Sequence, residues 1–248
     1  MSLLNSVEKL REDRALIERL IEHPEQLGPD FQPVRSLADD ALVGYKATGR
    51  GQAGTELNST LALLESAQGL GLVERLDWAF RCLAFDVLIE RGVDTELWIT
   101  PEPETYQSAC PPRLATSWGR GRRTVKVAAE VPAHAFADPA SLRSGVEEFR
   151  GWGWRVVADD VADVPGAVGL LDQVRPDAIK LDLDKPGRHP GMLDDGVRAM
   201  LEHAQRRGIE IVALGVDTES RRSVARDLGA TLGRGRLLGP PGPLGPNG

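Results

Sequence analysis

Charged side chains stand at the ends of several predicted β-strands of this chain. The carboxyl ends of parallel barrel strands meet at one polar mouth, where the loops diverge. Carboxylates at such a mouth can hold hard divalent cations, whereas lysine and arginine donate charge-assisted hydrogen bonds to phosphate. The strand-end residues, mostly charged, are Lys46, Thr100, Lys126, Asp159, Asp160, Lys180, Asp182, Leu214, Asp217 and Arg234.

The strands that carry these residues alternate with helices through most of the sequence, and this alternation predicts parallel pairing. The strands are also β-branched and almost continuously apolar, as is typical of a sheet covered on both faces. An α/β barrel of eight units fits best. A doubly wound open sheet is the alternative, but the glycine-rich nucleotide-binding fingerprints of such sheets are absent. The predicted strands are 96–100, 124–128, 155–158, 178–181 and 209–213, with a last extended piece at 231–238, and residues 101–123 are predicted to be irregular.

Three segments are distinguished by their local pattern. Residues 1–29 predict an extra N-terminal amphipathic helix, either a brace on the main domain or a helix for dimerisation or signalling. Residues 30–241 form the predicted barrel domain, which begins with a hairpin of two short extended segments. Residues 242–248 are rich in proline and glycine, and we expect a flexible tail there.

The composition excludes several functional classes. With 248 residues and 41% hydrophobic content, the chain can bury the core of one barrel domain. The formal charge of -7 disfavours binding to DNA or RNA, and no apolar run is long enough to span a membrane. Cysteine occurs only at positions 82 and 110, and the amino terminus is charged, so we expect a reducing, cytoplasmic location.

Short motifs in a fixed order resemble those of the EAL domain family. Together with their spacing they are specific, although each is weak alone. The chain resembles a divergent EAL domain over about residues 30–241. The motifs lie at residues 31–34, 44–48 with Arg50, 76–77, 158–160, 177–182, 213–218 and 233–235.

The resemblance implies a TIM-barrel-like (βα)8 fold whose first strand is antiparallel to the others. It also implies an ancestral hydrolysis of cyclic di-GMP to pGpG with two Mg²⁺ or Mn²⁺ ions, which require several oxygen ligands. Asp159, Asp160 and Lys180 remain of the catalytic group. The other positions have changed: Lys46 and Lys126 replace glutamates, Thr100 replaces an asparagine, and Leu214 replaces a third glutamate.

The two lysines reverse the sign of the charge where divalent ions would lie, and Leu214 supplies no lone pair. We therefore predict that the ancestral metal site is lost, that no cofactor is bound and that no catalytic residue is competent. Glu130 has the same strand parity as Lys126 and would reach the mouth if the register were shifted, restoring one ligand.

Three functions stay open for such a barrel in cyclic di-GMP signalling. One is a catalytically inactive regulator that acts through a protein partner or self-association. In that case the mouth is closed by ion pairs of Lys46 and Lys126 with Asp159 and Asp160. Another is metal-independent binding of cyclic di-GMP, and the third is residual phosphodiesterase activity. The predicted ligand-binding residues are Gln32, Lys46, Arg50, Lys126, Lys180, Asp182, Asp217 and Arg234.

Overall fold

The computed structural model describes residues 3–51 and 54–245, with side chains from residue 8 onward. Its centre is a closed barrel in which eight strands pair in chain order. The predicted α/β barrel is therefore confirmed. The strands are β1 (Asp30–Ser36), β2 (Leu42–Thr48), β3 (Glu96–Ile99), β4 (Val127–Pro132), β5 (Arg155–Asp159), β6 (Ala178–Asp182), β7 (Glu210–Leu214) and β8 (Leu232–Gly233).

Eight α-helices in the described part of the chain surround the barrel. Several begin with a side-chain cap, for example Asp194, which accepts a hydrogen bond from the backbone N–H of Val197. The helices are α1 (Leu3–Glu22), α2 (Thr60–Leu70), α3 (Val73–Glu90), α4 (Ala115–Thr124), α5 (Pro139–Gly151), α6 (Ala167–Val174), α7 (Asp195–Arg207) and α8 (Glu219–Asp227). None of them is both long and apolar enough to cross a bilayer.

The first strand runs against its neighbours, as expected. β1 pairs antiparallel with both β2 and β8, whereas the remaining pairs are parallel. The cause is local: β1 and β2 are joined by a tight turn in which Asp40 has a positive φ of 60°. A connection this short can join only antiparallel strands.

The interior of the barrel is filled by one apolar layer. Each contributing strand places one residue in this layer, and the next residue of the same parity lies one layer closer to either end. The layer consists of Val34, Trp98, Ala128, Val157, Ala178, Val212 and Leu232.

The two halves of helix α1 differ in how they contact the rest of the protein. Its second half packs on α2 and α3 through Ile17, Leu20 and Ile21, which are all 0% exposed. In the first half, every side chain described from residue 8 to residue 12 is exposed, including that of Leu10. The second half is thus a brace on the barrel, and the first half has an uncovered surface.

The region from residue 101 to residue 128 differs from the prediction. Instead of an irregular segment followed by a strand from residue 124, the chain forms α4 and then β4, which begins at Val127. Glycines at positions 119 and 121 lower the helix propensity of this segment. The helix forms nevertheless because of its packing, in which Gly121 is buried against the ring of Phe85.

The beginning of the carboxyl tail packs on the barrel. The backbone N–H of Phe31 donates to Gly242 at 2.7 Å, and Leu244 is buried beside the same strand. Four residues of the predicted flexible tail, 242–245, therefore have a defined position. The rest of that prediction, at residues 246–248, lies outside the described residues.

Candidate functional site

The carboxyl end of the barrel carries a polar ring. Its residues follow the apolar interior layer by two positions, so their side chains have the same parity and lie one layer nearer the mouth. In β1 the direction is opposite, and Gln32 precedes Val34 by two; its Cα pairs with that of Lys46. We call this set the mouth ring: Gln32, Lys46, Thr100, Glu130, Asp159, Lys180, Leu214 and Arg234.

One carboxylate oxygen organises the mouth ring. Glu130 Oε2 accepts hydrogen bonds from Lys46 Nζ at 2.8 Å, Lys180 Nζ at 3.0 Å and Thr100 Oγ1 at 2.8 Å. Lys180 Nζ also donates to Asp159 Oδ2, and Lys46 Nζ to Thr100 Oγ1, both at 2.5 Å. The other oxygen, Glu130 Oε1, is buried and has no hydrogen-bond partner among the residues that the structure describes. The two lysines are thus held together by one carboxylate rather than by two separate ion pairs.

The charges of this network shift its titration. Burial disfavours ionisation of Glu130, but Lys180, Lys46 and Arg234 outweigh it and hold the pKa of Glu130 well below its ordinary value. Burial lowers the pKa of Lys46, and the charges of Lys180 and Arg234 act in the same direction. Burial is thus the main cause for Lys46, the cations are the cause for Glu130, and Lys46, Lys180 and Arg234 outnumber Glu130 and Asp159 in this space. An additional anion would relieve this excess of positive charge.

Lys126 was wrongly predicted to lie at the mouth. It precedes β4, its Nζ pairs with Asp94 at 3.1 Å, and its side chain is 66% exposed. Glu130 occupies the mouth instead, four residues and about 13 Å further along the strand. A shift of four residues preserves strand parity, which is why the sequence pattern allowed both positions.

The two adjacent aspartates have separate partners. Asp159 contacts Lys180, whereas Asp160 pairs with Lys185 from the loop after β6. The same loop holds Asp163 through Lys185, at 3.0 Å, and through the buried Arg188. The hydrogen bond from Arg188 is the main reason that the pKa of Asp163 is lowered.

The predicted pairs of Lys46 and Lys126 with Asp159 and Asp160 are therefore wrong in all four partners. The mouth does contain ion pairs, but their members differ: Glu130 lies there through the shifted register that the sequence allowed, and Lys185 was not predicted. In the sequence, Lys185 follows closely after the motif at 177–182. This proximity was the only indication that Lys185 would reach the mouth.

Other predicted ligand-binding residues lie around the mouth ring with polar contacts of their own. Gln32 donates to the carbonyl of Gly239 at 3.4 Å, and Arg50 pairs with Asp30 at 3.2 Å at the outer end of the hairpin. Asp182 accepts from a backbone N–H in its own turn, and Asp217 accepts from the backbone of Arg236 at 2.7 Å.

Arg234 differs from these residues. Across residues 3–51 and 54–245, no hydrogen bond or ion pair to its guanidinium is found. Its charge nevertheless acts on both Lys46 and Glu130. Arg234 is therefore a half-buried cation beside the network that is available to an anion.

A cleft of about 280 Å³ opens beside the mouth ring, between β2, β3, α2 and α3. We call it the α3 cleft. Its walls are mostly apolar, with Phe80, Ile99 and Pro101 among them, and Lys46 also lines it. Its volume is near the lower end of the roughly 300–1,000 Å³ typical of small-molecule sites.

Three charged residues missed by the sequence reading line the α3 cleft. Asp77 and Arg81 form a buried ion pair, and Arg81 Nη2 also donates to Thr105 Oγ1 at 2.9 Å. Burial, together with the nearby charges of Asp77 and Glu104, raises the pKa of Glu102 to about 7. Glu102 therefore changes protonation near neutrality. Only Asp77 had a signal in the sequence, as part of the motif at 76–77.

The oxygen ligands at the mouth do not fit the pair of divalent ions that the resemblance implies. Lys46 Nζ lies against Glu130 and Thr100, Lys180 Nζ lies against Glu130 and Asp159, and Leu214 has no donor atom. A metal ion in contact with the same oxygens would meet two ammonium groups. In the described ranges, no three His, Cys, Asp or Glu side chains are grouped closely enough to hold a metal ion.

Comparison with known proteins identifies relatives of this architecture. The EAL domain family matches the chain over residues 13–241. The FimX EAL domain of Xanthomonas citri, solved in complex with c-diGMP, has a TM-score of 0.81 at 20% identity and covers 97% of both chains. The FimX EAL domain of Pseudomonas aeruginosa, bound to c-di-GMP, has a TM-score of 0.78 at 16% identity, covering 94% of this chain and 97% of that one.

A standalone EAL protein of Vibrio cholerae, also in a c-di-GMP-bound form, has a TM-score of 0.69 at 17% identity, covering 87% of this chain and 92% of that one. At these identities the solved structures support the fold, and the family match rests on the sequence. No significant match was found among curated proteins.

Proposed function

Because the chain belongs to the EAL domain family, we propose that it is a non-hydrolytic regulatory protein of cyclic di-GMP signalling that binds the dinucleotide without a metal ion. The position of Lys46 carries this proposal. Its ammonium group lies between Glu130 and Thr100, in the middle of the mouth ring, and supplies a fixed positive charge. A fixed ammonium can attract a phosphate, but it cannot ionise a water molecule as a metal does.

The arrangement of charge supports an anionic ligand with two phosphates. Lys46, Lys180 and Arg234 together exceed the charge of Glu130 and Asp159, and Arg234 keeps its donors free of described partners. The α3 cleft would take one base between its apolar walls, since Phe80 and Pro101 offer flat contact surfaces. Glu102 would accept hydrogen bonds from the edge of that base.

Calorimetry with cyclic di-GMP in the presence of EDTA tests the proposal directly. We expect binding with unchanged affinity when EDTA is present. Arg234→Ala should weaken it by roughly tenfold or more, because a charge-assisted contact is worth about 1.5–3 kcal/mol. The matched control is Lys126→Ala, which removes the same charge at the opposite end of the barrel and should leave affinity unchanged. Absence of heat at high ligand concentration would refute binding.

Hydrolysis is the alternative outcome of a parallel assay. Glu130, Asp159, Asp160 and Lys180 are still present, so production of pGpG is measured with Mn²⁺ in excess. We expect none above background. Turnover that disappears in Asp159→Asn would show a phosphodiesterase and would overturn the proposed lack of catalysis.

A second candidate function, interaction with a protein, is favoured by helix α1. Its first half has an exposed surface, and Leu10 is 56% exposed there, whereas its second half is packed. Apolar residues at positions 3, 7 and 10 follow helical spacing in the sequence. We propose that this surface pairs with a second copy of the chain.

Deletion of residues 1–12 separates association from folding, because Ile17, Leu20 and Ile21 are retained. Sedimentation over a range of concentrations should show a dimer for the full chain and a monomer for the shortened one. Leu10→Asp should also give a monomer, while Leu61→Asp, at another exposed leucine, should not. A full-length chain that stays monomeric at every concentration would contradict this role.

A further inference from the structure

The loop that follows β3 is fastened to one face of α3. Arg81, which forms an ion pair with Asp77 on the same helix, donates to Thr105 Oγ1 at 2.9 Å. In addition, Trp78 Nε1 donates to Ser108 Oγ at 2.8 Å. Two side chains of α3, Arg81 and Trp78, therefore hold the loop at Thr105 and Ser108.

The two cysteines of the chain lie at the same contact between α3 and the loop. Cys82 follows Arg81 on α3 and is 1% exposed, and Cys110 is half-buried in the loop. Both pack in one cluster with Trp78, Leu114 and Trp118. Each thiol faces a backbone carbonyl at the edge of this cluster, Cys82 that of Leu114 at 3.9 Å and Cys110 that of Pro111 at 3.5 Å.

We propose that Cys82 and Cys110 form an intramolecular disulfide when the protein meets a small-molecule disulfide such as oxidised glutathione. The half-buried Cys110 thiolate attacks the glutathione disulfide, which forms a mixed disulfide and releases one glutathione thiolate. The Cys82 thiolate then attacks the Cys110 sulfur and releases the second. Two protein thiols are oxidised, one glutathione disulfide is reduced to two glutathione molecules, and two protons leave the protein thiols.

The local environment makes this exchange slow. Burial raises the pKa of both thiols, and near Cys82 the neighbouring Cys110 and Asp86 act in the same direction against Arg81. Thiolate is therefore scarce at neutral pH. The pair is suited to sustained oxidation rather than to rapid sensing.

Oxidation would fix one wall of the α3 cleft. Pro101 and Glu102 line the cleft and belong to the loop that carries Cys110. The cross-link closes a covalent loop from residue 82 to residue 110, which restricts the unfolded chain and limits opening of the loop in the folded one.

The experiment treats the full-length reduced protein with oxidised glutathione at mildly alkaline pH, and then alkylates free thiols in denaturant. The expected product is a monomer that has lost two hydrogen atoms, takes up no alkylating reagent and yields a peptide cross-linked between Cys82 and Cys110. Its thermal midpoint should rise by several degrees, and amide exchange at residues 101–111 should slow.

Two variants keep the result interpretable if one sulfur reacts alone. Cys82→Ser should stop at a glutathione adduct on Cys110, and Cys110→Ser should leave Cys82 unreacted unless the protein is unfolded. A wild-type protein that accumulates the same Cys110 adduct, with Cys82 still open to alkylation in denaturant, would overturn the proposal. So would disulfide-linked dimers in place of the cross-linked monomer.

Discussion

At the scale of single residues, the mouth of this barrel depends on the ratio of cations to carboxylates. Glu130 is shared by Lys46 and Lys180, and Arg234 adds a further positive charge. A buried carboxylate that has two ammonium partners cannot be removed without leaving both of them facing each other in a dry space. Glu130 is therefore a structural centre of the site, whatever ligand the site takes.

Replacement of Glu130 tests this arrangement. We expect Glu130→Gln to lower the free energy of unfolding by about 3–5 kcal/mol, the usual cost of breaking a buried ion pair. Urea denaturation near neutral pH measures it. Lys126→Met removes an exposed pair and should cost less than about 1 kcal/mol. Equal effects of the two substitutions would mean that the Glu130 network contributes no more than a surface pair.

Glu102 makes stability depend on pH. Its pKa rises from 4.5 to about 7 on folding, so the folded state binds more protons between these values and loses stability as the pH rises through them. The Glu102→Gln variant lacks this titrating carboxyl group. The variant should match the wild type at about pH 4.5 and be more stable by about 1–2 kcal/mol at about pH 8, once partial exposure is allowed for. Denaturant midpoints that change in parallel at both pH values would contradict this.

At the scale of elements, packing rather than propensity forms α4. Its glycines at 119 and 121 disfavour a helix, and no side chain caps its amino end. The helix nevertheless places Trp118 against Trp78, with ring centroids 5.0 Å apart, and Gly121 against Phe85. The element exists because this close approach buries aromatic surface that a loop would leave exposed.

The two glycines of α4 predict opposite effects. A Cβ at Gly121 would lie 2.2 Å from the Phe85 ring, whereas one at Gly119 would meet nothing closer than Arg123 at 3.6 Å. Gly121→Ala should therefore destabilise the protein by about 1–3 kcal/mol through overpacking. Gly119→Ala should stabilise it by about 0.5–1 kcal/mol through helix propensity. Thermal unfolding of both variants checks the pair, and a shift of the same sign in each would refute the packing argument.

At the scale of the whole molecule, an acidic chain holds a local cluster of three cations inside the mouth of its barrel. The formal charge is -7, yet Lys46, Lys180 and Arg234 converge at the mouth. We expect this net charge to disfavour nucleic-acid polymers, whereas a small dianion can still be attracted by the local cations. The opposite end of the barrel is closed by Arg155, which bridges Glu96 at 3.1 Å and Glu210 at 2.8 Å.

The stabilisation of the protein by a bound ligand tests this distribution of charge. In EDTA, cyclic di-GMP at about 100 times its dissociation constant should raise the thermal midpoint by about 5–10 °C, and the shift should shrink as salt is added. Mn²⁺ alone should not raise the midpoint. Cyclic di-AMP has the same charge and serves as the control for base recognition. A shift that appears only with Mn²⁺ would contradict a metal-independent site.

The linear pattern of residues was enough to predict the barrel, its antiparallel first strand and the resemblance to the EAL family. Strand periodicity, the tight turn before β2 and the spacing of motifs are short-range properties, so they can be read along the chain. Asp159, Asp160 and Lys180 were placed at the mouth for the same reason.

Which residues pair with one another at the site could be learned only from the three-dimensional structure. Lys126 and Glu130 have equal strand parity, so periodicity could not choose between them, and the start of β4 depended on the packing of α4 against Phe85. The sharing of Glu130 by two lysines, the α3 cleft and the cluster that contains Cys82 and Cys110 join residues far apart in the chain. Such contacts arise only when the barrel closes, because closure brings distant strands and loops to a common end.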